Sequence, residues 1–149
     1  MNAGALCTRD VVTCAAGDTA LDAAKLLRAR HVGDVLVVDE RDGARVLRGI
    51  VTDRDLVLAV IANEVDPASV FVADLMSEPL VVALETDGID HVLRRMRLHG
   101  VRRVPVTNAL GELVGVVSAD DLLDAIATLL DDLRRIGIRQ TLFEEKGRT

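Results

Sequence analysis

The chain has 149 residues, 50% of them hydrophobic and 28% charged, with 24 acidic against 18 basic side chains for a formal charge of −6. That is a globular composition, sized for one compact unit or two small halves sharing a core, and it excludes a disordered chain. The acidic balance, with Phe71 and Phe143 as the only aromatics, lacks both the basic face and the stacking platforms of nucleic-acid binders.

In chain order, the opening residues Met1 to Arg9 carry no basic segment followed by an apolar stretch, so no signal peptide is read there. The longest apolar run, Leu56 to Ala62, falls far short of the roughly 20 residues of a membrane span. A cytoplasmic protein with no membrane partner is expected. Cys7 and Cys14 lack C-x-x-C spacing and read as reduced, partly buried thiols. His31, His91 and His99 show no ligand spacing with them or with one another, so no metal site is expected.

The sequence is written twice. Leu75 to Val82 lies under Leu6 to Thr13 at an offset of 69 residues, and the same offset pairs Asp18 with Asp87, Val35 with Val104 and Val37 with Val106. After a loop the offset drops to 66, pairing Gly49-Ile-Val-Thr52 with Gly115-Val-Val-Ser118 and Asp55 with Asp121. Each copy predicts a short strand (Val11 to Thr13; Leu80 to Val82), then an amphipathic helix, clearest at Ile89, Val92, Leu93 and Met96. Asp18 or Thr19, and Asp87, are available as N-caps. Two β-branched runs around Gly43 or Gly111 follow as a hairpin (Val35 to Val38 and Leu47 to Val51; Val104 to Thr107 and Leu113 to Val117), and a second helix begins at Asp53 or Ala119. Each β-α-β-β-α copy is too small and too one-sidedly apolar to stand alone, so an α+β fold is expected, with the repeats packed sheet to sheet about a pseudo-two-fold axis. The expected boundaries are 5–64 for repeat one, 65–74 for a linker opened by Asp66-Pro67, 75–136 for repeat two with an extended C-terminal helix, and 137–149 for a polar tail. The linker is expected to hold a helical turn or two over Ser69 to Leu75. The last helix carries Leu122, Ile126, Leu129, Leu130, Leu133 and Ile136 on one stripe, which fits either a partner surface or self-packing.

The chemistry concentrates at Thr52-x-x-Asp55 and Ser118-x-x-Asp121, each at a strand exit and a helix start. Two readings stand. The spacing is that of a capping box with Asp at the third position, which needs no ligand. The same helix start also presents free N–H groups to a phosphate, and a carboxylate one turn in can accept both hydroxyls of a ribose.

Duplicated β-α-β-β-α units with G-h-h-[TS]-x-x-D at the third strand's exit and a V-P-V-like second strand resemble the CBS domain pair, or Bateman module, over nearly the whole chain. The resemblance extends to stand-alone bacterial members, in keeping with an Ala- and Arg-rich, Lys-poor composition. It implies clefts between the repeats that take an adenosine-type ligand: AMP, ADP, ATP, NAD(H) or S-adenosylmethionine. Thr52, Asp55, Ser118 and Asp121 would hold its phosphate or ribose, and Val12, Thr13, Val35, Val81, Val82, Val104 and Pro105 would flank the adenine. Arg103 falls where the family often carries a phosphate-binding basic residue, whereas repeat one has Asp34 there. One site, served by Arg103, would therefore favour a phosphorylated ligand and the other, lined by Asp34, would not. No nucleophile–base arrangement or paired catalytic acid is seen, so a non-catalytic regulatory protein is expected, acting in trans on an unknown protein target and forming a homodimer. The alternative is a ligand-free interaction module whose T/S-x-x-D elements only cap helices, and a redox switch through Cys7 and Cys14 is a weaker rival.

Overall fold

The computed structural model describes residues 1–79 and 81–148. Two three-stranded sheets form, each in sequence order: β1 (Thr13–Cys14), β2 (Asp34–Arg41) and β3 (Ala44–Thr52), then β4 (Ala83–Leu84), β5 (Arg103–Thr107) and β6 (Leu113–Ser118). In each sheet the first strand pairs parallel with the second and the hairpin is antiparallel. The registers slip at equivalent points, between Val37 and Val38 and between Val106 and Thr107. The β2–β3 turn is Asp42-Gly43 with both residues at positive φ (50° and 81°), the twist-matched two-residue connection that Asp-Gly supplies.

The first strands lie further along than expected. Pairing covers Thr13–Cys14 and Ala83–Leu84 rather than Val11 to Thr13 and Leu80 to Val82, and Leu80 lies outside the described residues. The parallel pairing involves only two residues, so β-branched composition does not set its ends. Helix α2 (Ala20–Arg30) starts on Thr19, whose side chain forms a reciprocal capping box with Asp22. Its counterpart α5 (Ile89–His99) starts on Gly88 with no side-chain cap. Asp18 and Asp87 instead accept the backbone N–H of Ala15 and Leu84, each at 2.9 Å, to close the preceding turn.

A short helix, α1 (Ala3–Leu6), was not expected; its repeat counterpart in the linker, α4 (Val72–Leu75), was. The two exchange partners. Ala3 is fully buried in the core of repeat two with Val81, Val92, Met96 and Leu122, while Val72 is fully buried in that of repeat one with Ala23, Leu27, Val35 and Val51. Backbone bonds repeat the exchange: Ala3 N donates to Asp87 O and Val72 N to Asp18 O, both at 2.8 Å. Thr8 then pairs with Val116, as Ser77 does with Ile50. These crossings explain Gly49 and Gly115. A Cβ on Gly49 would lie 2.9 Å from Ser77 O, and one on Gly115 only 2.5 Å from Thr8 O, so neither position admits a side chain without displacing backbone. Each core is thus completed by the other repeat's leading turn. A third cluster of Leu36, Val38 and Leu113, with Val11, Ile50 and Val116 packed on it, joins the two sheets.

The second helices differ most. In repeat one, α3 (Asp53–Leu56) passes into a π-helical turn over Val57–Ile61 and ends there, its last-turn carbonyls met by the Asn63 side-chain amide. In repeat two, α6 runs unbroken over Ala119–Lys146. The stretch 137–146, read from sequence as polar tail, is therefore helix. The neighbours that ended the first copy, Asn63, Glu64 at positive φ and Pro67, have no equivalents in it.

Candidate functional site

The sheet–sheet junction leaves a cleft of about 280 Å³. The starts of β2 and β5, the end of β6, the start of α6 and the segment before β1 surround it. Ser118 and Asp121 line one wall, Val11, Val12, Val32 and Val116 give apolar surface, and Thr8, Asp10, Asp34 and Arg103 complete it. Ser118 ends β6 as the N-cap of α6 because its backbone is extended while Ala119 is already helical. Its N–H and Oγ both donate to Asp121 Oδ2 at 2.7 Å, and Asp121 N–H donates back to Ser118 Oγ at 3.1 Å. The cap thus uses one carboxylate oxygen. Asp121 Oδ1 has no hydrogen bond among the described residues, leaving an acceptor beside the cleft.

Thr52 and Asp55 make the same box at α3, with Thr52 N–H donating to Asp55 Oδ2 at 2.8 Å and Asp55 N–H to Thr52 Oγ1 at 3.1 Å. They do not line this cleft. Thr19 and Asp22 make a third such box on α2, likewise away from it. Hydrogen bonds from the Thr19 N–H and hydroxyl hold the Asp22 carboxyl below its usual range. Box geometry alone therefore marks no ligand site. What sets Ser118 and Asp121 apart is the cleft in front of them.

Asp34 and Arg103 meet across the junction, Oδ1 to Nη1 at 3.9 Å. They occupy the same position in the two repeats, and two residues exchanged by a two-fold operation can touch each other only near its axis. The two groups expected to serve separate sites are thus brought together. Both groups line one cleft, where the carboxylate faces the guanidinium that was to serve a phosphate. By the same symmetry, Thr52, Asp55, Ile50, Ser77 and Val101 mark a second position around the same pair.

Of the apolar residues expected to flank an adenine, Val12 lines the cleft. Val35 and Val104 are fully buried, and Val81 is 3% exposed, inside the two cores. Pro105 is buried opposite Val116, and Val82 is half-buried. Thr13 lines a separate groove along the β1–β2 edge with Cys14, Asp18 and Asp39. The sequence reading missed Thr8, Asp10, Val11, Val32 and Val116 as lining; the crossing segment after α1 brings Thr8, Asp10 and Val11 against Val116 of β6 and Val32 ahead of β2, and only the repeat offset hints at that crossing. Cys14 lies in the core of repeat one, where burial and then the Asp18 charge push its thiol up to about 11. Burial likewise raises Cys7, whose Sγ lies against the Gly115 position.

A family model for the CBS domain matches residues 3–62 and again 72–128, the two structural repeats with their leading turns. The chain belongs to the CBS domain family. Such domain pairs are in general regulatory, non-catalytic modules. The protein YlbB of Bacillus subtilis is 43% identical over 117 residues, covering 78% of this chain and 76% of its own. Among solved structures, the CBS domain protein PAE2072 from Pyrobaculum aerophilum complexed with AMP is 27% identical, covers 86% of this chain and 99% of its own, and superposes with a TM-score of 0.70. Hypoxic response protein I, solved with two coordinated zinc ions, is also 27% identical over 83% of this chain and 98% of its own, at a TM-score of 0.72. Among the described residues of this chain, no group of three or more His, Cys, Asp or Glu is placed to hold a metal ion, and no helix is long and apolar enough to cross a membrane.

Proposed function

We propose that this CBS pair is a cytoplasmic, non-catalytic sensor that binds an adenosine-type ligand in the inter-repeat cleft and acts in trans on a protein target, as a homodimer. The observation that carries the reading is the Ser118–Asp121 box set on a cleft at the repeat junction, in a chain 27% identical to a relative complexed with AMP. Asp121 Oδ1 would accept the ribose hydroxyls, the start of α6 would face the phosphate, and Val12, Val32 and Val116 would cover the base.

Charge narrows the ligand. The cleft is lined by three carboxylates, Asp10, Asp34 and Asp121, and by the guanidinium of Arg103; Asp10 is paired with Arg30 at 3.3 Å, which leaves Asp34 and Asp121 against Arg103. An anionic ligand must draw Arg103 away from Asp34, and a larger polyphosphate meets more repulsion. At about 280 Å³ the cleft is also small against the roughly 300–1,000 Å³ of ordinary small-molecule sites. Both facts favour AMP or the sulfonium S-adenosylmethionine over ATP and NAD(H).

Thr19 and Asp22 support the second reading, since that pair makes the identical box purely as a cap. A thermal-shift panel of AMP, ADP, ATP, NADH, S-adenosylmethionine and GTP separates the two. A ligand at 100 times its dissociation constant adds about 2.7 kcal/mol. A rise with AMP or S-adenosylmethionine and none with GTP supports the sensor; no rise with any of the six leaves the interaction module.

A further inference from the structure

Beyond Ala125, α6 leaves its own domain. Leu122 and Ala125 are buried, Ile126 is half-buried, and every residue from Ala127 to Lys146 except the half-buried Asp131 is exposed. The helix is 28 residues long, about 42 Å at 1.5 Å per residue. Well over half of that length therefore stands in water, with Leu129, Leu130, Leu133, Ile136 and Phe143 at 44–68% exposure. Helical propensity alone does not hold such a segment; packing of its apolar face must.

The spacing of that face is specific. Leu122, Ile126, Leu129, Leu133, Ile136, Gln140 and Phe143 follow one another in alternating steps of four and three, the 3.5-residue repeat of a coiled-coil seam rather than the broader 3.6-residue stripe of a core helix. Charge along the helix is segregated. From Asp120 to Asp132 there are five carboxylates and no basic residue, and Arg134, Arg135 and Arg139 follow. Asp131 is engaged within the chain by Arg134 and Arg135, at 3.1 and 2.7 Å. Asp132 and Arg139, which flank the seam, have no ion-pair partner among the described residues.

We propose that a second copy of this chain covers the seam as an antiparallel coiled coil of the two α6 helices. Antiparallel pairing centred between Arg134 and Arg135 stacks Leu133 on the partner's Ile136, Ile126 on its Phe143 and Leu129 on its Gln140. It sets Asp132 beside the partner's Arg139, and by symmetry the reverse, and it lays Leu130 over the partner's Gly137, where no side chain competes for the space. The two domains then sit at opposite ends of the coil. Parallel pairing would instead face acidic segment on acidic segment. Ile138 and Leu142 fall off the seam and stay exposed.

The inference sharpens the homodimer of the proposed function and is independent of the ligand. Sedimentation equilibrium on the full chain tests it, with Leu133→Glu/Ile136→Glu, Arg139→Asp and Asp132→Arg/Arg139→Asp as variants; all change exposed residues and leave the domain core intact. A dimeric wild type, a monomeric seam variant that still unfolds cooperatively but no longer melts higher as protein concentration rises, dimerisation weakened about tenfold by Arg139→Asp and restored by the double charge swap are expected. A monomeric wild type overturns both the homodimer and the coil. A seam variant as dimeric as wild type overturns the coil and leaves the homodimer to another face. A charge swap no stronger than Arg139→Asp overturns the antiparallel orientation.

Discussion

In repeat one the helix after the Thr52 motif loosens into a π-turn and stops at Ile61, whereas its counterpart after Ser118 runs on to Lys146. The anchors of these helices differ too. Leu122 is 1% exposed in the core of repeat two, while its equivalent Leu56 is half-buried at the edge of the other core. In the opposite sense, α2 of repeat one has a complete capping box where α5 of repeat two starts on bare Gly88. One plan has thus been tuned twice. The first repeat is held by its caps and the second by its packing, and the cleft with a free carboxylate oxygen lies on the better-packed side.

Substitutions at equivalent positions sharpen this contrast, and the largest effect is expected at the helix anchors. Leu122→Ala should destabilise the protein by about 3–4 kcal/mol and Leu56→Ala by clearly less, near 2 kcal/mol, in urea melts; equal losses would remove the distinction between the two cores. Gly115→Ala is expected to cost about 3 kcal/mol and Gly49→Ala about 1–2 kcal/mol, because the added Cβ meets the crossing backbone 0.4 Å closer in the first case. A reversed order would mean that the crossing at Ser77 is the tighter one.

Exchanging helix ends between the repeats tests the other half of the contrast. Gly88→Thr gives α5 the cap that Thr19 gives α2, and should add a few tenths of a kcal/mol up to about 1. His31, at φ 54°, stands where repeat two has Gly100 at φ 64°, so His31→Gly should also stabilise, by up to about 1 kcal/mol. Thermal melts of the two variants decide both. The smallest effect concerns Asp22. Its carboxyl is held below 3.8 by Thr19, so the stability it lends is present above that value and lost as pH falls through the lowered one. In melts across the pH range, Asp22→Asn should lower stability slightly at neutral pH and leave the most acidic points unchanged, which flattens the acid limb.

Most of this architecture was legible because it is written twice. The hairpins carry Gly43 and Gly111 at positive φ, and the second helices start at the residues that the motif spacing indicates. A four-residue helix at Ala3–Leu6 has no periodicity to read and shows itself only through its counterpart Val72–Leu75. The meeting of Asp34 with Arg103 was not legible at all. Equivalent positions in a repeat look like separate sites until the axis is known to pass between them. Burial was the other blind spot, since the same Val-rich strands supply both the cores and the cleft wall: Val35 and Val104 went inward while Val12 and Val116 face the cavity.

The most direct test of the cleft is a calorimetric titration of AMP into the wild type, Asp55→Ala and Asp121→Ala, each checked as folded by its melting curve. Binding by the wild type, retained in Asp55→Ala and lost in Asp121→Ala, is the predicted result. No heat with the wild type, or an Asp121→Ala protein that binds as the wild type does, would contradict it.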